Sequence, residues 1–331
     1  MIGICTTVVS IRMLDFGAAG SFAVGRARGW MVTGPDVWAS PESGHSTSIR
    51  VEKNCRRARI GHHPFAPQSS TWAFVLNSCV PCRILGVIPA RYASSRFPGK
   101  ALATIASKTM LEHVWERVSR SRYITSVVIA TDDRRIQEAA RQFGADVRMT
   151  RDDHLSGTDR VAEVASQSTA EIVVNVQGDE PLIDPEAIDA ALLPLVHEPA
   201  IAMSTLKKKI EDPSEIFNPN VVKVVTDRFQ NAIYFSRAPI PFDREQDTHK
   251  TYFKHIGLYV YRKDFLLRYS DLPVGPLEEV ERLEQLRALE NGYKIRVVET
   301  EYESLGVDTP EDLEKVTHLF DASLQYGGGT I

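Results

Sequence analysis

The chain has 331 residues, 43% of them hydrophobic and 25% charged, with a formal net charge of −4, proportions that fit a globular enzyme of one large or two modest α/β domains. That charge argues against a general nucleic-acid binder, which is usually basic, and no apolar run approaches the roughly 20 residues that span a bilayer. The average hides a division: residues 1–82 carry a net +4 and all four cysteines (Cys5, Cys55, Cys79, Cys82), whereas the remainder carries −8 and no cysteine, so the body needs no disulfide and suits a reducing compartment.

Residues 1–82 show no sustained helical or strand period, because Gly, Ser, Pro and Arg interrupt every short apolar run. Three of the four tryptophans lie here without a patterned core around them. Three readings stand: an unstructured extension, a targeting peptide on the strength of the Arg-rich, acid-poor composition, or upstream sequence read from an early start, with the enzyme beginning near Leu76 or Val80. Cys79 and Cys82 form a Cys-x-x-Cys pair without the second pair that zinc-finger spacing requires.

From Arg83 the pattern becomes regular. Ile84 to Ile88 is a continuous apolar run, which predicts a buried strand. Met110 to Val118 has helical spacing. Ser126 to Ala130 is a β-branched strand, and Arg134 to Phe143 an amphipathic helix stopped by Gly144. Ile172 to Val176 is another buried strand, followed by a helix Pro185 to Leu193 with proline in its first turn. This alternation predicts a Rossmann-like α/β fold with a mostly parallel central sheet. The middle, about 205–275, changes character: Val221 to Thr226, Ala232 to Phe235 and Ile256 to Tyr261 read as a smaller antiparallel addition. A long helix, Glu278 to Glu290, ends at Asn291 and Gly292. A strand Lys294 to Val298, a terminal helix from Pro310 and a flexible tail at 323–331 complete the body, 83–322.

The segment Pro89 to Lys100, PARYASSRFPGK, follows the first buried strand, at the sheet edge where open α/β sheets bind ligands. Ala93, Ser94, Ser95 and Gly99 are small enough for backbone N–H groups to approach phosphate oxygens. Arg91, Arg96 and Lys100 add three cations, with arginine able to fork two oxygens and lysine a point charge. The Walker spacing is absent, as is the Gly-x-Gly-x-x-Gly of dinucleotide oxidoreductases. Asp179 follows the strand Ile172 to Val176, where Gln177 and Gly178 give a tight exit with exposed amides. Asp308 precedes a helix and reads either as a cap or as a ligand. Two carboxylates from distant segments, joined by substrate phosphates, suit Mg²⁺.

The loop, together with ATDD (130–133), MTRDDHLSGTDR (149–160), VNVQGDEP (174–181), FNPNVVKVV (217–225) and GVDTPEDL (306–313), resembles the 3-deoxy-manno-octulosonate (KDO) cytidylyltransferases over about Ile84 to Val316. The resemblance implies transfer of CMP from CTP to KDO with release of diphosphate, activating the sugar for lipopolysaccharide synthesis in the cytoplasm, by a homodimer with no nucleic-acid or membrane partner. It implies Asp179 and Asp308 as Mg²⁺ ligands, with Lys100 and Arg96 acting on the leaving diphosphate. Nucleotide binding falls to Arg91, Ser94, Arg96, Lys100, Gln177 and Gly178. Sugar-acid binding falls to Gln177, Arg237, His255, Tyr259, Glu284 and Gln285. Arg160 either touches ligand or pairs with a nearby carboxylate. The Asp-x-Asp of related glycosyltransferases is missing, since Glu180 and Pro181 follow Asp179.

Overall fold

The computed structural model describes residues 8–11, 72–75, 82–93, 97–154, 156–245 and 250–325. The chain divides into two compact units, Met1–Pro81 and Cys82–Ile331. In the first, β1 (Val8–Ile11) pairs antiparallel with β2 (Trp72–Val75), Val8 opposite Val75 and Ile11 opposite Trp72. The other expectations for residues 1–81, and those for the tail from 326, lie outside the described residues.

The second unit begins with β3 (Ile84–Ala90), in which every residue but Pro89 is buried. A hairpin of β4 (Thr104–Ile105) and β5 (Lys108–Thr109) leads into α1 (Met110–Val118), whose first turn is capped by the Thr109 hydroxyl accepting from Glu112 N. Then come β6 (Ser126–Thr131) and α2 (Arg134–Gln142), capped by Asp133. Gly144, at φ +83°, ends α2 as expected. The edge strand β7 (Asp146–Met149) and the helix α3 (Gly157–Ser166), with Ser156 and Asp159 as capping box, follow. Next are β8 (Ile172–Asn175) and α4 (Pro185–His197), which runs past the expected Leu193 with Pro194 inside it. β3 lies between β6 and β8, and β7 flanks β6, all in parallel.

The antiparallel strands are β9 (Met203–Lys209), then, after the short helix α5 (Ser214–Phe217), β10 (Lys223–Thr226), β11 (Ala232–Ser236) and the ten-residue β12 (Phe253–Arg262). They continue the same sheet, because the last four residues of β12 pair with β8 and place Tyr259 opposite Asn175. On its other edge β12 pairs with β9, with a bulge between Ile256 and Val260; the Thr205 hydroxyl lies against the Ile256 and Leu258 carbonyls there, at 3.0 and 2.8 Å. After α6 (Lys263–Tyr269), α7 (Pro276–Glu281) and α8 (Leu286–Glu290), strand β13 (Ile295–Glu299) runs parallel to β9. A bridge from Asn231 to Arg296 and a bond from Val297 N to the Gln230 carbonyl tie the β10–β11 hairpin to β13. These strands therefore close into a ring of five. Helix α9 (Pro310–Gln325) ends the described chain. No helix among the described residues is long and apolar enough to cross a membrane.

The expected helix Glu278 to Glu290 is two short helices. Arg282 sits at φ +53° between them, a conformation that costs a β-carbon-bearing residue energy unless its surroundings enforce it. The enforcing contacts are visible. The Glu290 carboxylate accepts from Leu277 N and Glu278 N, capping the start of α7, which requires the chain to turn back. A bidentate Arg287–Glu278 ion pair and a bond from Arg237 Nε to the Glu281 carbonyl hold the turn.

The two faces of the sheet bury separate apolar clusters. Ile84, Ile88, Val174 and Ile129 pack with Leu111, Ile136 and Leu192 from α1, α2 and α4. Leu85, Val87, Val173 and Tyr261 pack with Val161, Phe265 and Leu286 from α3, α6 and α8. This is the helix–sheet–helix sandwich that alternating strands and helices demand.

Candidate active site

The carboxyl ends of β3 and β8 are pressed together. A β-carbon on Gly178 would lie 2.9 Å from the Pro89 carbonyl oxygen, so only glycine lets the turn after β8 approach β3 this closely. That approach brings Asp179 to the end of the Pro89–Lys100 segment. There Gly99, at φ +74°, donates its N–H to the Tyr92 carbonyl at 2.8 Å. Lys100 then opens a 3₁₀ turn (Lys100–Leu102) and points at the carboxylates.

The Lys100 ammonium donates to Asp179 Oδ2 at 2.5 Å, to Asp308 Oδ1 at 3.1 Å and to the Val307 carbonyl at 3.2 Å. Three segments separated by 79 and 208 positions thus converge on one cation. Burial pushes the ammonium pKa down, but the charges and hydrogen bonds of both carboxylates outweigh it, and the group lies above the ordinary lysine value. A small apolar cluster fixes the convergence from below. Ile105, Met110, Leu182, Val307 and Val316 are buried together, with Phe97 and Leu313 against them. Each site segment contributes to it: the chain flanking Lys100, the turn after Asp179, and the residue before Asp308.

Of the two readings of Asp308, the structure gives the helix cap to its neighbour. The Thr309 hydroxyl accepts from Asp312 N, while Asp312 Oδ2 accepts from the amides of Asp308 and Thr309. The Asp308 carboxylate is instead turned to Lys100. Arg91 donates through Nη2 to the carbonyls of His154 and Ser156, at 2.8 and 3.0 Å, and so ties the start of the phosphate segment to the N-terminus of α3. Ser94 and Arg96 lie outside the described residues. Among the described residues no three His, Cys, Asp or Glu side chains form a metal cluster. Two carboxylates already sharing a cation at a sheet edge nevertheless fit an ion that takes few protein oxygens and completes its shell from phosphates.

Two residues back from Gln177, Asn175 stands opposite Tyr259 in the ladder, so β12 carries a second group of candidates beside the first. On its face His255 and Tyr259 lean together, ring centroids 5.5 Å apart, with Phe235 edge-on to His255 at 5.0 Å and Tyr261 stacked beyond Tyr259 at 6.1 Å. A β-carbon on Gly257, between His255 and Tyr259, would have nothing within 4 Å. His255 Nε2 meets the Thr205 hydroxyl at 3.0 Å, and burial pushes its imidazole down to about 3, so the ring is neutral at neutral pH. Glu284 reaches this group across the turn between α7 and α8. Burial raises its carboxyl pKa, a hydrogen bond to Thr158 opposes the rise, and Glu284 Oε1 is buried without a partner. Gln285 is buried beside it. Arg237 is held by Glu281: its N–H donates to Oε2 at 2.9 Å, and its Nε to the carbonyl at 2.8 Å.

Arg160 has the second of its two expected fates. It is fully buried and its Nη2 donates to Asp132 at 2.7 Å, with Thr150 a further partner. Sequence reasoning did not single out Glu180, which is buried behind Asp179. Burial, and then the Asp179 charge, push its carboxyl up to about 7, against hydrogen bonds from Ser304 and Tyr302. The signal was an acidic residue inside the VNVQGDEP segment.

Comparison with known proteins gives consistent results. A family model described as cytidylyltransferase matches residues 85–295. The chain is 72% identical over 250 residues to the 3-deoxy-manno-octulosonate cytidylyltransferase of Solibacter usitatus (strain Ellin6076), covering 76% of this chain and 99% of that protein. It is 57% identical over 249 residues to the enzyme of the same name from Pelobacter propionicus (strain DSM 2379 / NBRC 103807 / OttBd1), covering 72% and 98%. Among solved structures it matches a CMP:2-keto-3-deoxy-manno-octonic acid synthetase complexed with CTP, at TM-score 0.70 and 44% identity over 72% of this chain and 99% of that one.

Proposed function

Because the chain belongs to the cytidylyltransferases and, among them, to the 3-deoxy-manno-octulosonate cytidylyltransferase family, we propose that the site described above transfers CMP from CTP to KDO, giving CMP-KDO and diphosphate. The observation that carries this reading is the convergence of Asp179 and Asp308 on the Lys100 ammonium, at the strand ends where a triphosphate binds.

The C2 hydroxyl of KDO attacks the α-phosphorus of CTP. A new O–P bond forms as the α–β bridge breaks in line, diphosphate leaves with the electron pair, and the hydroxyl proton passes to solvent. No protein group becomes covalent, so positioning and charge neutralisation carry the rate. Asp179 and Asp308 would hold Mg²⁺, which when bound supplies charge neutralisation at the α-phosphate and acidifies the attacking hydroxyl. Lys100, Arg91, Ser94 and Arg96 steady the triphosphate and the departing diphosphate, with the Gln177 and Gly178 amides beside them. On the acceptor side, His255 is neutral and contributes a hydrogen bond, not a charge. Arg237 is therefore the cation for the sugar carboxylate, and Glu284, Gln285, Tyr259 and Gln177 are the partners of its hydroxyls.

A coupled diphosphate-release assay with CTP, Mg²⁺ and a panel of sugar acids tests this. Turnover with KDO and little with sialic acid is expected; preference for another acid would overturn the acceptor assignment. We place the enzyme in the cytoplasm, at the activation step that feeds lipopolysaccharide synthesis. We also read it as a homodimer: Phe217, Phe229, Ile233 and Phe242 are all more than 60% exposed around β10 and β11, an apolar surface that a second copy would cover. Sedimentation at micromolar concentration tests the dimer, and a monomer would refute it.

A further inference from the structure

Asp179 and Glu180 are adjacent acids that face opposite ways. Asp179 turns outward to Lys100, and its side chain is 28% exposed. Glu180 turns inward and is 7% exposed, with Oε2 accepting the Tyr302 hydroxyl at 3.1 Å and a further hydrogen bond to Ser304. Neither Tyr302 nor Ser304 is basic, so its hydrogen bonds among the described residues bring no cation to the carboxyl. A buried carboxyl is costly, and a leucine would fill the space without that cost, so the hydrogen bonds identify what the group does.

They connect two segments. The stretch from 300 to 308 lies between β13 and α9 and belongs to no helix or strand. It is joined to the turn after β8 by Glu180 with Tyr302 and by Val307 N donating to the Asp179 carbonyl at 2.9 Å. One residue past that second link stands Asp308. Asp308 is therefore tied to the Asp179 turn by two links that both precede it, the Val307 backbone bond and the buried Tyr302–Glu180 bond, in addition to the Lys100 ammonium and the apolar cluster around Val307.

We propose that Glu180 and Tyr302 are a positioning pair that sets the spacing of Asp179 and Asp308 and thereby the fit of a divalent cation between them. The proposal rests on the reading of those two aspartates as cation ligands. Groups that orient ligands without touching the ion typically alter metal affinity by about 10- to 100-fold when removed.

The test titrates Mn²⁺, followed by electron paramagnetic resonance, into the full chain with CTP present and KDO absent. CTP affinity in EDTA and the thermal midpoint are measured alongside. Tyr302→Phe and Glu180→Leu are expected to weaken Mn²⁺ binding about tenfold with CTP affinity in EDTA unchanged. Glu180→Gln, which keeps a hydrogen-bonding end, should stay within about twofold of wild type. Tyr302→Phe loses one oxygen only and keeps the test decisive if Glu180→Leu does not fold. Wild-type Mn²⁺ affinity in Tyr302→Phe overturns the pairing, as does a loss of CTP and Mn²⁺ binding that merely follows a lower thermal midpoint. If the wild-type protein binds no Mn²⁺ with CTP, the ligand assignment falls and this inference with it.

Discussion

The two halves of the candidate active site are built by different means. The phosphate half is polar and partly exposed, and it is assembled from three distant segments that meet at one ammonium. The proposed acceptor half centres on strand β12, whose His255, Tyr259 and Tyr261 rings form a row with the buried Glu284 carboxylate behind it. In the first, charge sets the affinity and local backbone turns set the geometry. In the second, strand register and a broken helix decide which groups meet. Substitutions in the first half should therefore act on the chemical step and the cation, and those in the second on acceptor selection.

The largest expected effect tests the first half. Asp179→Asn should lower turnover about 1,000-fold with CTP, KDO and Mg²⁺; near-normal rates would remove the metal role. Next, Lys100→Met should slow turnover about 100-fold. In the nucleotide-free protein it should also tighten Mn²⁺ binding, because Asp179 and Asp308 lose the ammonium that neutralises them. Unchanged or weaker Mn²⁺ binding would mean that the ammonium does not compete for that place. In the acceptor half, Glu284→Gln should raise the KM for KDO about tenfold and leave that for CTP unchanged. A parallel rise in both would erase the division between the halves.

The smallest effect is on stability. His255 is depressed to about 3 from 6.5 by burial, so between those values the unfolded chain binds a proton that the folded chain refuses. Stability should fall as pH drops from 6.5 towards 3. The thermal midpoint of His255→Asn should fall less over that range than that of wild type; identical slopes would show that the ring is not held neutral.

The phosphate half was the more legible in sequence because its chemistry leaves local marks. Cations and small residues after an apolar run, and aspartates at turn positions, are visible without knowing the fold. The helix break at Arg282 left no such mark: glycine or asparagine usually signals a left-handed residue, and here an arginine is forced there by contacts from α8 and Arg237. Strand β9 was hidden for a related reason. Its sequence, MSTLKKK, reads as solvated, yet Lys207 is buried, its ammonium bonded to Gln230 and Thr226 and lying over the Phe253 ring. Arg160 was ambiguous because Asp132, its partner, lies 28 positions away on a neighbouring strand end. The capping role of Thr309 was masked by the adjacent Asp308, an equally good cap by residue type.

The ten residues of β12 span about 33 Å and serve both halves: they pair with β10 and β9 near His255, and with β8 at Tyr259. Mechanically the strand is a beam, built in at both ends and braced along its edges. A hinge between the two groups of candidate residues would have to shear this ladder. In the reaction proposed above the strand would serve as a gauge between the sugar's reactive oxygen and the α-phosphorus.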